Sequence, residues 1–440
     1  MNFLFQKKIW ICLLCLVVLG GGGYYAYTHQ AQLFTKPVQY KTAAENDPYV
    51  RFDMEVYDAI VANYWKQATS SDMAQLFQLS VQKAGNFPAV PTVVSQDRTG
   101  VANMIAREFK TATSTSAEKN LAINTVIVAL YNLAPQGRDQ LLSSVQETEL
   151  RQTVANINPA NDLYQNIGVT KGATMQEIAA GYMKTKADLA HATTSDVEAK
   201  REQTLYSYQV LNNPIDKSIY DQTQIEPTVF GHIMGNTLYV YIEKISPSTI
   251  SDFARVVDSA STTPHLSSMI LDVRNNVGGD LTFPQYFLGL FLGQNQYAFD
   301  LFHQGDYQTQ RTVTPHFPEL DRYTEYAVLT NNMTQSTAEL LTSILKKFRI
   351  AHVVGTKTRG WGSVENTYPI QTSIGPNEKY SLLLVNSLTL RDDNQPIEVN
   401  GVLPDVDIQN SQWKQILAQT IRSTSLQQAI INTITVAPQR

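Results

Sequence analysis

At 440 residues the chain is long enough for two or three domains, and 43% hydrophobic with 17% charged residues is the make-up of an ordinary globular protein. The formal net charge is −5 and no long basic run occurs, so binding to nucleic acid has no electrostatic support. Neither H-E-x-x-H nor G-x-x-x-x-G-K-[ST] is present, which leaves zinc-peptidase chemistry and nucleotide hydrolysis without a motif; no metal or cofactor is expected.

The first element is an apolar run over residues 9–27 behind a short tip, 1–8, that carries Lys7 and Lys8. At about 1.5 Å per residue such a run crosses a hydrocarbon core of about 30 Å. The flanking lysines predict a cytoplasmic tip, an uncleaved signal anchor and an extracytoplasmic bulk, making this a single-pass protein of the cell membrane; a cleaved signal peptide is the competing reading, and either way the large part is exported. Cys12 and Cys15 fall inside the apolar run, where lipid-facing side chains are the simplest reading, and the rest of the chain has no cysteine. That suits an exported chain that avoids stray disulfides.

Residues 28–48 lack periodicity and read as a stalk. The segment 49–158 reads as a helical domain, with one apolar stripe at Met54, Val56, Tyr57, Ile60 and Val61 and another at Leu121, Ile123, Val126, Ile127, Leu130 and Leu133. Pro88, Pro91 and Gly100 break its middle, and it carries no evident chemistry. In 159–225 the pieces Leu163-Tyr164, Ile167-Gly168-Val169, Glu177-Ile178, Tyr182, Tyr208, Val210-Leu211, Pro214 and Tyr220-Asp221 follow one another. This segment resembles a J-domain. The His-Pro-Asp signature with which that family contacts its chaperone ATPase is replaced by Ala190-His191-Ala192. The resemblance therefore implies a helical hairpin kept as a scaffold or peptide-binding arm, without an ATPase partner, and His191 is expected to be a solvated surface residue.

Beyond Glu226 the pattern changes to short β-rich runs near 238–242, 269–273, 327–330, 351–354 and 380–385, alternating with helical segments near 247–260, 283–292 and 334–348. Such alternation predicts an α/β core with parallel pairing. Three segments in it carry chemistry. Met269-Ile-Leu-Asp-Val-Arg-Asn-Asn-Val-Gly-Gly-Asp280 is a buried strand running into a turn with two adjacent glycines. There a backbone N–H can approach a ligand or a developing oxyanion closely. Ala327-Val-Leu-Thr-Asn-Asn-Met-Thr-Gln-Ser-Thr-Ala-Glu-Leu-Leu is a strand, a polar turn and a helix, with Ser336 at the first turn. The dipole and the unpaired N–H groups there favour negative charge, although a serine is also an ordinary N-cap. Val354-Gly-Thr-Lys-Thr-Arg-Gly-Trp-Gly-Ser-Val-Glu365 is a strand followed by a glycine-punctuated loop, expected to return beside the Ser336 helix.

With Gly401-Val-Leu-Pro-Asp405 as a fourth piece, these motifs in this order resemble the carboxyl-terminal processing, or tail-specific, serine peptidases, over about 200 residues. The resemblance implies a ClpP/crotonase-like α/β core over 226–425. The whole is then a multidomain α+β chain: transmembrane helix, all-α region with a J-domain-like hairpin, peptidase core. It further implies Ser336 as the nucleophile and an oxyanion site made by the N–H of Thr337 with that of Gly278 or Gly279. Protein or peptide substrates in the cell envelope would follow. The family's PDZ domain is missing, and the J-like segment stands in its interval.

One position departs from the family. Ungapped matching places Trp361 where the family carries its base lysine, and Glu365 where it carries a glutamine. An indole accepts no proton, and a serine hydroxyl without a base is a weak nucleophile. Glu365 and Lys357 are the candidate bases or orienters, and His232, His303 or His352 with an acid such as Glu398 would make a histidine arrangement. Two functions stay open: a serine endopeptidase with a non-standard base, and an inactive peptide-binding pseudoenzyme or adaptor.

Overall fold

The structure, a computed structural model, describes residues 41–192 and 196–440. The expected membrane segment 9–27, with Lys7, Lys8, Cys12 and Cys15, lies outside the described residues, as does most of the stalk. Among the described residues no helix is long and apolar enough to cross a membrane.

The chain divides into two units, one of residues up to 149 with 299–310 and 361–399, the other of 150–298, 311–360 and 400–440. The 226–425 stretch, expected as one domain, is therefore shared between them. The reason is pairing that no local pattern reveals: strands from its middle complete a sheet under the N-terminal helices.

In the first unit, helices Pro48–Asn63, Ser70–Gly85, Arg98–Phe109 and Thr115–Tyr131 each begin at an Asp, Thr or Ser whose side chain accepts a first-turn N–H. Thr69 and Asp72 cap each other reciprocally. The apolar stripes bury Met54, Val56, Tyr57, Ile60, Val126 and Leu130, whereas Val61 and Ile127 remain 41% and 48% exposed. Their core is completed by Leu382, Leu384 and Val385 of strand Tyr380–Thr389. That strand pairs antiparallel with Gln140–Ser143, Ser363–Pro369 and Tyr297–His303, and Asp306–Arg311 forms the far edge.

The second unit holds the predicted α/β core. Its sheet runs in the order Val406–Asp407, Ala351–Gly355, Glu325–Thr330, Ser268–Asp272, Thr237–Ile242, Val229–Met234. All neighbours are parallel except the last pair, an antiparallel hairpin. Central strands are buried along their whole length, as parallel strands covered on both faces must be. Helices Trp413–Thr420 and Thr424–Thr433 cover one face through Leu417, Leu426 and Ile430. Phe253 of helix Thr249–Ser259 meets Phe287 of helix Phe283–Leu292 edge-on at 4.7 Å. In the same unit, helices Leu163–Asn166, Met175–Ala190, Val197–Leu211 and Pro214–Thr223 enclose a small core of Leu163, Tyr164, Ile167, Ile178, Val210, Leu211 and Tyr220. His191 caps the second of these helices and is exposed, as the sequence predicts.

Candidate active site

The site grows from the C-terminal ends of two neighbouring parallel strands, Ser268–Asp272 and Glu325–Thr330, where loops are free to converge. The turn after the first strand is anchored by a buried ion pair: Arg274 Nη2 meets Asp272 Oδ2 at 2.6 Å, and Asp272 also accepts the Tyr239 hydroxyl at 2.7 Å. Asn276, fully buried, donates to the Ile242 carbonyl at 2.7 Å and accepts the Gly278 N–H at 2.8 Å. The turn after the second strand is clipped to it. Asn331 exchanges hydrogen bonds with Asn275 at 2.7 and 3.0 Å, Thr334 Oγ1 donates to the Val273 carbonyl at 2.8 Å, and the Gln335 N–H donates to the Asn276 carbonyl at 2.9 Å.

Ser336 sits where these turns lead into helix Thr337–Lys347, whose residues are buried from Thr337 to Leu345. Its backbone is at φ 56° and ψ −129°, far from the extended conformation of an ordinary N-cap serine. A residue with a Cβ is held there only because its surroundings over-determine it, and such strain clusters at functional positions. Gly278 explains part of the constraint: a Cβ on it would lie 2.7 Å from Ser336 Cβ and 2.8 Å from the Thr337 nitrogen. Gly278 itself is at φ 85°. Ser336 is half-buried, so its hydroxyl lies at the mouth of the helix rather than in the core.

Of the three predicted oxyanion donors, Thr337 heads the helix and the glycine pair packs against it, with the Thr337 hydroxyl on the Gly279 carbonyl at 3.0 Å. The two glycines are not equivalent. The Gly278 N–H is committed to Asn276, whereas that of Gly279 meets no acceptor among the described residues. Nothing in the spacing of the motif distinguishes them; the Asn276 side chain does.

Glu339 is the organising acid that sequence reasoning left without a role. Fully buried, it accepts the Ser336 N–H at 3.0 Å on one oxygen, and the Thr358 hydroxyl at 2.5 Å and Gly360 N–H at 2.7 Å on the other. This draws the glycine loop back beside the Ser336 helix, as expected. Thr358 and Val402 exchange further bonds, at 2.7 and 3.1 Å, which brings in the Gly401–Asp405 motif. Its spacing, three residues after Ser336, was the available signal.

Among the described residues of this unit, no lysine or histidine hydrogen-bonds the Ser336 hydroxyl. Lys357 is exposed. His352 occupies the beginning of its strand, away from the C-terminal ends, and His232 packs on Tyr239 with its imidazole pKa lowered by burial. In the other unit, His303 Nδ1 is 2.6 Å from the Asn386 carbonyl oxygen. Glu365 accepts the Ser363 hydroxyl at 2.6 Å and the Trp361 Nε1–H at 3.4 Å, and burial pushes its carboxyl up. Glu398 accepts the Gly362 and Ser363 N–H groups and pairs with Arg138, so its carboxylate serves the loop. Among the described residues no cluster of His, Cys, Asp or Glu is placed to hold a metal ion.

The site thus joins a strained serine at a helix mouth, a glycine turn packed against it and the C-terminal ends of an α/β sheet. Residues 236–408 match the model of Peptidase family S41, supporting a serine-type peptidase, a hydrolase. A "Probable CtpA-like serine protease" of Staphylococcus aureus is 27% identical over 152 residues, 34% of this chain and 29% of the relative. Its counterpart in Staphylococcus haemolyticus is 27% identical over 150 residues, with the same shares. The matched segment thus spans less than a third of these curated relatives. Among solved structures, a lipoprotein from Streptococcus agalactiae aligns at 14% identity over 87% of this chain and 98% of its own, with a TM-score of 0.46. The photosystem II D1 C-terminal processing protease aligns at 14% identity over 82% and 93%, with a TM-score of 0.47.

Proposed function

We propose that the chain is a membrane-anchored, extracytoplasmic serine endopeptidase of the carboxyl-terminal processing type, acting on proteins or peptides of the cell envelope. The observation that carries this is Ser336 at φ 56° on the mouth of a buried helix, its Cβ beside Gly278. In this reading Ser336 Oγ attacks the scissile carbonyl while its proton passes to a base, and the N–H groups of Thr337 and Gly279 receive the oxyanion. Collapse of the tetrahedral species breaks the C–N bond and expels the amine, which takes the proton from the base, and water then hydrolyses the acyl-enzyme ester and restores the Ser336 hydroxyl. The base is not residue 361, since an indole accepts no proton; Glu365 and Lys357 are the candidates. Residues 9–27 hold the protein to the membrane, and the J-domain-like segment 159–225 serves as a scaffold or peptide-binding arm without a chaperone ATPase. A fluorophosphonate probe is expected to label the purified full chain and to leave Ser336→Ala unlabelled. Folded protein that takes no label refutes the reading.

A second reading is favoured by one observation, the Arg138 guanidinium lying 3.2 Å from the centre of the Trp361 ring. A side chain so engaged fills the position that the resemblance gives to the base. In that case the cleft binds peptides without cutting them, and Ser336→Ala leaves peptide binding unchanged.

A further inference from the structure

What stands at position 361 is more than an indole. Arg138, stacked on Trp361, pairs through Nη2 with Glu398 Oε1 at 2.9 Å, the two side chains being 13% and 10% exposed. The other Glu398 oxygen accepts the Gly362 N–H at 2.7 Å and the Ser363 N–H at 3.1 Å. A Cβ on Gly362 would lie 2.3 Å from the Glu398 nitrogen, so no side chain fits there. On the preceding side, the Gly360 N–H is fixed on Glu339 at 2.7 Å. Trp361 is thus the single residue between two glycines, each held by a glutamate.

We propose that Arg138 is a positioning residue that locks the Trp361 side chain and, through Glu398, the loop after it. The physical basis is the pairing of a planar cation with an aromatic face away from bulk water, its charge balanced by a nearly buried carboxylate. A lysine at 361 would offer no aromatic face and would set an ammonium against the guanidinium, and like charges in a site of low dielectric repel strongly. Trp361→Lys is therefore expected to loosen the loop as loss of the guanidinium does.

Full-length Arg138→Met and Trp361→Lys test it, with Trp361→Phe identifying that residue's share of the emission. Arg138→Met should red-shift the Trp361 emission and speed amide exchange at Gly362 and Ser363 by about tenfold or more, and Trp361→Lys should speed the same exchange to a similar extent. Unchanged emission and exchange in Arg138→Met, or parent-like exchange in Trp361→Lys, overturn the proposal.

Discussion

Gly278 shows how little room the site leaves at the level of a single residue. It has no freedom to carry a Cβ, because that carbon would press on Ser336 Cβ and the Thr337 nitrogen, and its φ of 85° is one that other residues adopt only under strain. Gly278→Ala is expected to displace the Thr337 donor and slow fluorophosphonate labelling about 10²–10³-fold, the usual effect of losing one oxyanion donor. Near-UV circular dichroism should stay that of the parent, separating a local change from unfolding. Ser336, Gly278, Gly279 and Thr337 were all legible as candidates from the order of the motifs. That Asn276 takes up the Gly278 N–H was not, because the fact depends on where the Asn276 side chain points.

Single elements carry costs of another kind. Helix Pro48–Asn63 buries Asp53 completely, with neither carboxylate oxygen hydrogen-bonded among the described residues, and burial pushes its carboxyl far up. Beside strand Tyr380–Thr389, Asp139 accepts the Val385 N–H at 2.6 Å on one oxygen and has no hydrogen-bond partner among the described residues on the other. Burial, together with the charge of Glu365, raises its carboxyl to about 7. Both groups bind a proton more tightly folded than unfolded. Their stabilising contribution is therefore complete below about pH 4, the unfolded carboxyl value, and is lost as pH rises, through about 7 for Asp139. Thermal melts from pH 5 to 8 should show the parent losing stability, and Asp53→Asn/Asp139→Asn should lose markedly less. An identical slope in the two proteins would place the pH dependence elsewhere. Hydropathy hinted at neither acid, since each is polar in sequence and buried only by packing.

For the molecule as a whole, the decisive question is where it resides. Lys7 and Lys8 ahead of an apolar run over 9–27 predict that the full chain stays with the membrane fraction through alkaline carbonate washing, and that deletion of 1–27 moves it to the soluble fraction. A full chain extracted by carbonate would sink the anchor. The rest of the organisation divides by the range of the signals that encode it. Alternating strand and helix patterns in 238–354 gave correct elements because each is set by neighbours a few residues apart. Strands Tyr297–His303, Asp306–Arg311 and Ser363–Pro369 went unread, since their partners lie far along the chain or their exposed faces are polar; Val229–Met234 went unread although its partner strand follows directly.

By itself the sequence determined the α/β core, the serine at the start of its helix and the glycine turn, because those are matters of residue type and spacing; that Trp361 stands where a lysine is expected came from the family resemblance. Only the tertiary structure decided that a buried Glu339 ties the serine to the glycine loop, that Asn276 takes up the Gly278 N–H, and that Arg138, 223 positions upstream of Trp361 by their residue numbers, lies on its ring. Each depends on groups brought together by long-range burial, where an unmet donor or an unpaired charge is costly and so dictates its partner.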